Sequence, residues 1–507
     1  MTAVKRSEDQ GFLLYQTSCA LIAAIAGLNV GWHISVPNMP QKIITSCGME
    51  SSGGLPPCLP MTDYVWGLTV GLYAIGGLVG SLGTMFTNMW FGRRANIMIC
   101  TVFTIIGGIF SALAVNTGMY IVGRVFVGIG SGLAGSSVPI YVSEISTKRT
   151  RGALGSFFEL FLNLGILFTQ VAGLYLSKVP DWRFLWVIPS ILALVQLLLL
   201  IFFTVECPRR LCANKKYDEA RNALQKLRGD ADIEQEFNNL LEARKRDEHR
   251  RQMTLWEVIS GKDKHVLINT IYVMVLLAYN QIGGVGPMSV YSVSFFTTIF
   301  NGDTNMATNL SIIDAAVNIV ATLIAVFFMN KVGRRGFMLI STGGMTIACI
   351  GIVIGSSVAT EKLGPLVIFS AILFLFTYSL GCGVVPWLMI AELLPLHALA
   401  AGSALGNSSN WLVNFVENTL WPIIESHLNN YSFIIFIIIN FIGFLFCIFC
   451  LEETTHKDLD RDHSKPHSKP IDLELEDTSN SGLDKTDNVE HVENMDTPAE
   501  SSSSSAR

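Results

Sequence analysis

VIPSILALVQLLLLIFFTV, residues 187–205, contains no charged side chain and no alternation of apolar with polar residues. About 20 mainly apolar residues are enough for a helix to cross a bilayer. A strand of an outer-membrane barrel would alternate its faces, whereas this segment is apolar all round. Residues 12–34 and 431–451 are equally free of Lys, Arg, Asp and Glu. The whole chain has 507 residues, 50% hydrophobic and only 15% charged, against about 25% charged in an ordinary soluble domain. One large soluble enzyme is therefore disfavoured, and disorder is excluded as the main theme. With 35 Lys+Arg against 40 Asp+Glu, the charge balance gives no reason to expect a nucleic acid partner. Ten cysteines over this length are not a disulfide scaffold. The first apolar run is long and lacks a small-residue cleavage pattern, so no cleavable signal peptide is expected.

These observations point to an all-α polytopic membrane protein whose partner is the lipid bilayer. Twelve spans are expected, near 12–34, 64–87, 96–116, 120–142, 153–177, 184–204, 266–298, 307–330, 337–359, 364–393, 399–425 and 431–451. The first six form one bundle (12–204) and the last six a second (266–451). Residues 1–11 precede them. A polar linker, 205–265, holds helix-like sequence at 217–227 and 231–252. The Asp-, Glu-, Ser- and Lys-rich tail 452–507 reads as disordered. Lys5, Arg6, Arg93, Arg94, Lys148, Arg149, Arg151, Lys331, Arg334 and Arg335 fall on one side of these spans. By the positive-inside rule that side, with both termini and the linker, faces the cytoplasm. On the other side lie Cys47 and Cys58, either bridged or free, and two glycosylation sequons at Asn309 and Asn430.

The halves repeat. Phe91-Gly-Arg-Arg94 recurs as Val332-Gly-Arg-Arg335, Glu144 as Glu392, and Glu206 as Glu452, each roughly 240–250 residues later. Parallel six-helix repeats of this kind place substrate between the halves, near mid-membrane. No Walker loop, metal-ligand cluster or nucleophile triad is present, so neither catalytic residue, metal nor cofactor is expected. Gly128-Ile-Gly130-Ser-Gly132 lies inside a span and is not a nucleotide fingerprint.

Several motifs resemble the sugar porter family of the major facilitator superfamily, most of all the facilitative glucose transporters and their fungal relatives. They are Gly123-Arg124; Val138-Pro-Ile-Tyr-Val-Ser-Glu144 followed by Arg151-Gly-Ala-Leu-Gly155; Glu206-Cys-Pro-Arg209; Pro386-Trp387; Ala391-Glu392-Leu393; and Ser409-Asn410-Trp411 with Asn414-Phe415. The resemblance covers about residues 12–455. It implies a non-enzymatic carrier of a hexose, glucose in the first place, working by alternating access with uniport favoured over proton symport. The alternatives are a nutrient sensor on the same fold or a carrier of another monosaccharide or polyol. The resemblance implies substrate contacts at Asn280, Gln281, Asn318, Trp387, Asn410, Trp411 and Asn414, with Glu159 at the fifth-span position where the family has glutamine. Amides match hydroxyls that both donate and accept, and aromatic faces cover the C–H surface of a sugar. It further implies a cytoplasmic gate network of Arg93, Arg94, Arg151, Arg209, Arg334 and Arg335 with Glu144, Glu206 and Glu392.

The chain departs from that pattern at particular places. Gly286 stands where the family has a seventh-span asparagine, and Gly31-Trp32-His33 replaces Gly-Tyr-Asn or Gly-Tyr-Asp. Met89-Trp90, Leu399 and Glu452-Glu453-Thr454 depart within the gate motifs. His33 titrates near neutral pH in water, and with Glu159 it is the candidate for proton coupling. Plasma membrane is the family's usual location, with an acidic vacuole or other endomembrane as the alternative. Oligomeric state is left open.

Overall fold

A computed structural model describes residues 11–46, 54–147, 149–249, 253–300, 302–357, 364–395 and 397–453. The N-terminal segment, Cys47, Lys148 and the acidic tail beyond residue 453 lie outside them. The described residues contain helices and no strand.

Ten helical segments are individually long and apolar enough to cross a membrane, and Leu399–Tyr431 with Ile434–Phe449 pass together across a 96° bend. Spans 1 to 6 are Leu14–Ser35, Asp63–Trp90, Arg93–Ala112, Thr117–Ile145, Phe157–Leu176 and Phe184–Phe203. Span 7 is Lys264–Ile282 continued by Val285–Val290 and Ser292–Ile299. Spans 8 and 9 are Thr304–Val332 and Arg334–Ser357. Span 10 is Gly364–Leu380 continued by Val385–Leu393, and spans 11 and 12 are Leu399–Leu428 and Ile434–Phe449. Each start that lacks a preceding helix needs acceptors for its free N–H groups. Thr62 accepts from Val65 N, Asn116 from Met119 N, and Asp303 from Asn305 N and Met306 N.

Spans 7 and 10 break where glycines cluster. Gly284 sits at φ 104°, a left-handed conformation that glycine adopts without steric cost. The carbonyl groups freed at both breaks find donors: Gly283 O accepts from Asn440 Nδ2 at 3.0 Å and Cys382 O from Asn280 Nδ2 at 2.7 Å. Broken backbone inside a membrane protein is tolerated when its polar groups are met in this way.

Glycine also sets how closely the helices approach. A Cβ at Gly128 or Gly132 would strike backbone carbonyls of span 2, and one at Gly130 would meet Thr104 and Cys100 of span 3. The glycine run at 128–132 is therefore a packing seam of the small-residue kind. Gly31 and Gly165 make a second seam between spans 1 and 5.

Span 4 packs on spans 2 and 3, span 3 also on span 6, and span 9 on spans 10 and 12. The two bundles meet where span 2 lies on span 11 and span 5 on span 8. The linker carries helices Pro208–Ala213, Tyr217–Arg228, Glu234–His249 and Leu255–Ile259. Arg228, 2% exposed, docks it: it donates to Gln16 and Ile145 O and pairs with Glu236 at 2.7 Å. Near the start of span 6, Arg183 donates to Ala112 O and Ala114 O, at and just past the end of span 3, and to Pro56 O of the loop before span 2. Cys58 is disulfide-bonded. Of the two sequons, Ser311 is buried and bonded to Ser292, and Ser432 is buried against Asn429 O.

The repeat is visible as two matching corners on the face where the described residues begin and end. Gly92 (φ 97°) precedes span 3 and Gly333 (φ 83°) precedes span 9. Glu206 accepts from Arg93 N and Arg94 N, each at 3.1 Å. Glu453 accepts from Arg334 N at 2.9 Å and Arg335 N at 3.1 Å. The counterpart of Glu206 is thus Glu453, one residue beyond the Glu452 expected from spacing.

Candidate functional site

Asn280 and Gln281 lie one turn before the break in span 7, and Asn410 and Asn414 lie one turn apart on span 11. Their side chains form a continuous chain. Asn280 Nδ2 donates to Cys382 O and to the Tyr378 hydroxyl at 3.1 Å. Asn410 Nδ2 donates to Leu277 O at 2.8 Å and Asn280 Oδ1 at 2.9 Å. Gln281 Nε2 donates to Asn280 Oδ1 at 3.0 Å, and Asn414 Nδ2 to Gln281 Oε1 at 2.9 Å. Asn418 extends the chain, donating to Asn414 Oδ1 at 3.1 Å. In a span with almost no water, each amide is held by another amide or by a broken-helix carbonyl.

A second branch runs through span 8. Ser379 donates to Asn318 Oδ1 at 2.7 Å, and Asn163 of span 5 donates to Thr322 at 3.0 Å. That last bond crosses between the bundles and places the cluster on the side of the second bundle facing the first. Glu159 lies one turn from Asn163 on span 5, half-buried and hydrogen-bonded to no described residue. Trp387 is 36% exposed. Trp411 points elsewhere: it covers Gly77 and meets Tyr73 edge-on at 5.8 Å, wedging span 11 against span 2.

His33 is fully buried and neither ring nitrogen has a partner. The ring stacks on Trp186 at 5.7 Å, and Arg124 donates to His33 O at 2.9 Å. Arg124 itself lies over the Tyr73 ring at 4.7 Å. Among the expected gate residues, Arg93 pairs with Glu144 at 3.0 Å and Arg334 with Glu392 at 2.8 Å, each within its own bundle. Arg94 donates to Leu200 O, Ile201 O and Thr204, and Arg335 to Ile448 O. Arg151 and Arg209 line a cavity of about 290 Å³ on the same face, together with Glu144 and the linker residues Arg228 and Glu236.

Sequence reasoning passed over Tyr378, Ser379, Asn163, Glu417 and Asn418. All are polar or ionisable groups inside apolar spans, and that cost of placement was the available signal.

Two helical bundles with a polar cluster between them, broken spans beside that cluster and matching charged corners define a membrane transporter of the major facilitator fold, not an enzyme. The chain belongs to the family described as Sugar (and other) transporter, whose model matches residues 19–463. It is 31% identical over 468 residues to solute carrier family 2, facilitated glucose transporter member 3 of Oryctolagus cuniculus, covering 89% of this chain and 92% of that protein. It is 29% identical over 477 residues to facilitated glucose transporter member 4 of Homo sapiens, covering 90% and 92%. Its fold is similar to the xylose transporter XylE from E. coli in a partially occluded inward open conformation. That match has TM-score 0.71 and 22% identity over 88% of this chain and 99% of that one.

Proposed function

We propose that the protein carries a hexose, glucose in the first place, across its membrane as a uniporter working by alternating access, with the face that holds both termini in the cytoplasm. The observation that carries this reading is the amide chain of Asn280, Gln281, Asn410 and Asn414. A sugar hydroxyl donates and accepts at once, and each of these amides presents both functions. The relatives named as facilitated glucose transporters supply the substrate class. Asn318 adds a further amide, Glu159 an acceptor from the first bundle, and Trp387 an apolar face for the ring.

The motion follows from the contacts. On the face opposite the termini, Asn38 of the segment after span 1 donates to Ser292 at 2.8 Å and accepts from Val293 N at 3.0 Å. Those bonds tie span 1 to the last part of span 7 and must part for that face to open. The breaks at Gly283-Gly284 and Gly381–Val384 give spans 7 and 10 a place to bend beside the ligand. On the other face, the corners Arg93–Glu144 and Arg334–Glu392 hold each bundle rigid while the two rock. Arg93, Arg94, Arg334 and Arg335 crowd that face and give it the positive-inside signature.

Uniport is favoured by the surroundings of His33. A proton carrier needs a route, and neither ring nitrogen meets solvent or a partner. Proton symport survives as a second reading because Glu159 stands unpartnered beside the cluster. Radiolabelled glucose uptake into proteoliposomes, with and without an imposed proton gradient, tests both. Uptake that equilibrates and ignores the gradient is expected. Accumulation that collapses with a protonophore would replace uniport by symport. No uptake of any monosaccharide or polyol would turn the reading toward a sensor.

A further inference from the structure

Asn410, Asn414, Glu417 and Asn418 follow one another at i, i+4, i+7 and i+8, so they share one face of span 11. The first two are members of the amide chain. Glu417 is 9% exposed, yet neither carboxylate oxygen has a hydrogen-bond partner, and Asn418 Oδ1 has none either. The backbone N–H groups of Gly284 and Gly286 face the carboxylate, but without the alignment of a formed hydrogen bond. A Cβ placed on Gly286 would be 2.6 Å from Glu417 Oε2 and 3.2 Å from Asn418 Oδ1. Three acceptor atoms therefore converge over a position with no side chain, and no side-chain donor answers them. Burying a carboxylate in this condition is costly unless something completes it.

The cover over these atoms is the short helix Val285–Val290 of span 7. It is held down one residue further on, where the Tyr291 hydroxyl donates to Asn418 O at 2.9 Å. The cover is bounded by the break at Gly283-Gly284 on one side and by Tyr291 on the other, so a bend at the glycines and release of the Tyr291 bond would part it from span 11.

We propose that Glu417, supported by Asn418, is a specificity-determining acceptor for a substrate hydroxyl, contributed by span 11 where span 7 offers only Gly286, and opened when the Val285–Val290 segment lifts. In its ionised form the carboxylate accepts and does not donate, so it favours a group that presents an O–H toward span 11. This rests on the reading of the protein as a hexose carrier. A Glu417 that only fills space beside the break would affect all sugars alike, and the two roles separate in a deoxy-sugar scan.

The experiment is competition of radiolabelled glucose uptake by the mono-deoxyglucoses, in proteoliposomes of the wild-type chain, Glu417→Gln and Glu417→Val. The wild type should discriminate against one or two deoxy analogues by roughly tenfold or more, since a site built to bond a hydroxyl rejects the analogue lacking it. In Glu417→Val that discrimination should vanish while the penalties for the other positions persist, and Glu417→Gln should fall between. A uniform loss across all sugars, with the pattern intact, would overturn the proposal. Thermal melting of Gly286→Asn and of the pair Gly286→Asn/Glu417→Val checks the geometry without transport. The single variant should melt lower and the pair should recover. Equal melting of the two would show that Glu417 does not occupy that space, and would also overturn the proposal. Absence of uptake by the wild type for glucose and every other monosaccharide would instead remove the hexose reading on which it rests.

Discussion

The two halves of the molecule are alike at their edges and unlike at their centres. At the edge, a left-handed glycine, a helix start capped by a glutamate and an Arg–Glu pair appear twice, as Gly92, Glu206 and Arg93–Glu144, then as Gly333, Glu453 and Arg334–Glu392. At the centre, the second half holds a chain of amides threaded through two broken spans. The first half holds His33, Trp186 and Arg124 packed against one another. Both halves met the same requirement for rigid corners that turn a span sharply at the membrane surface. Only one met the requirement for exchangeable hydrogen bonds beside a bendable backbone. On the proposed reading, the corner chemistry serves the moving frame and the amide chemistry the cargo.

The largest effect should come from the centre of the second half. Asn410 holds Leu277 O and Asn280 Oδ1 and lies beside Gln281, so Asn410→Leu leaves several buried polar groups unmet at about 1–3 kcal/mol each. Glucose uptake should fall roughly 100-fold or more, with the protein still folded by size-exclusion and melting. Retention of more than a tenth of wild-type uptake would remove Asn410 from the site. Next come the corners. Glu144→Gln and Glu392→Gln should each slow exchange about tenfold, since a partly buried pair loses one charge, and the two losses should match. Unequal losses would show that one corner has a duty the repeat does not explain.

A smaller effect tests the glycines of the same corners. Alanine at Gly92 or Gly333 would force a positive φ on a residue with a Cβ, at about 1–3 kcal/mol, and would press on the capping glutamate. Both variants should melt several degrees lower by fluorescence-monitored unfolding, with glucose KM unchanged. A changed KM with unchanged melting would contradict the structural role of the turn.

Much of the frame was legible in the sequence because it rests on local signals. Charge-free runs announce spans, Gly-Arg-Arg announces a corner, and an amide in an apolar run announces a contact. The breaks at Gly283-Gly284 and Gly381 were legible for the same reason. Less legible was whatever depends on which face of a helix looks where. Trp411 sits in the same motif as Asn410, yet a one-residue step carries it to the other face and onto Gly77. The gate arginines and glutamates were grouped by side of the membrane, but pairing depends on bundle, and spacing alone does not report that. Glu417 escaped notice because the residue that makes sense of it, Gly286, is distant in sequence and silent in side chain.

The smallest expected effect concerns the centre of the first half and decides how far the asymmetry goes. His33 is, with Glu159, the candidate that the sequence offers for proton coupling, so it is where a proton role in the first half would be found. The structure surrounds it with Trp186, the Arg124 guanidinium and no hydrogen-bond partner for either nitrogen. A group that exchanges protons during each cycle must meet water or a relay in some state. Spans 1 and 5 are in backbone contact here at Gly31 and Gly165, and Trp186 covers a face of the ring. His33→Asn should therefore leave glucose exchange within about twofold of wild type and leave its indifference to a proton gradient unchanged. If the substitution abolished a gradient-driven accumulation present in the wild type, the first half would hold chemistry of its own. The division into a passive first centre and an active second one would then give way to coupling between the two.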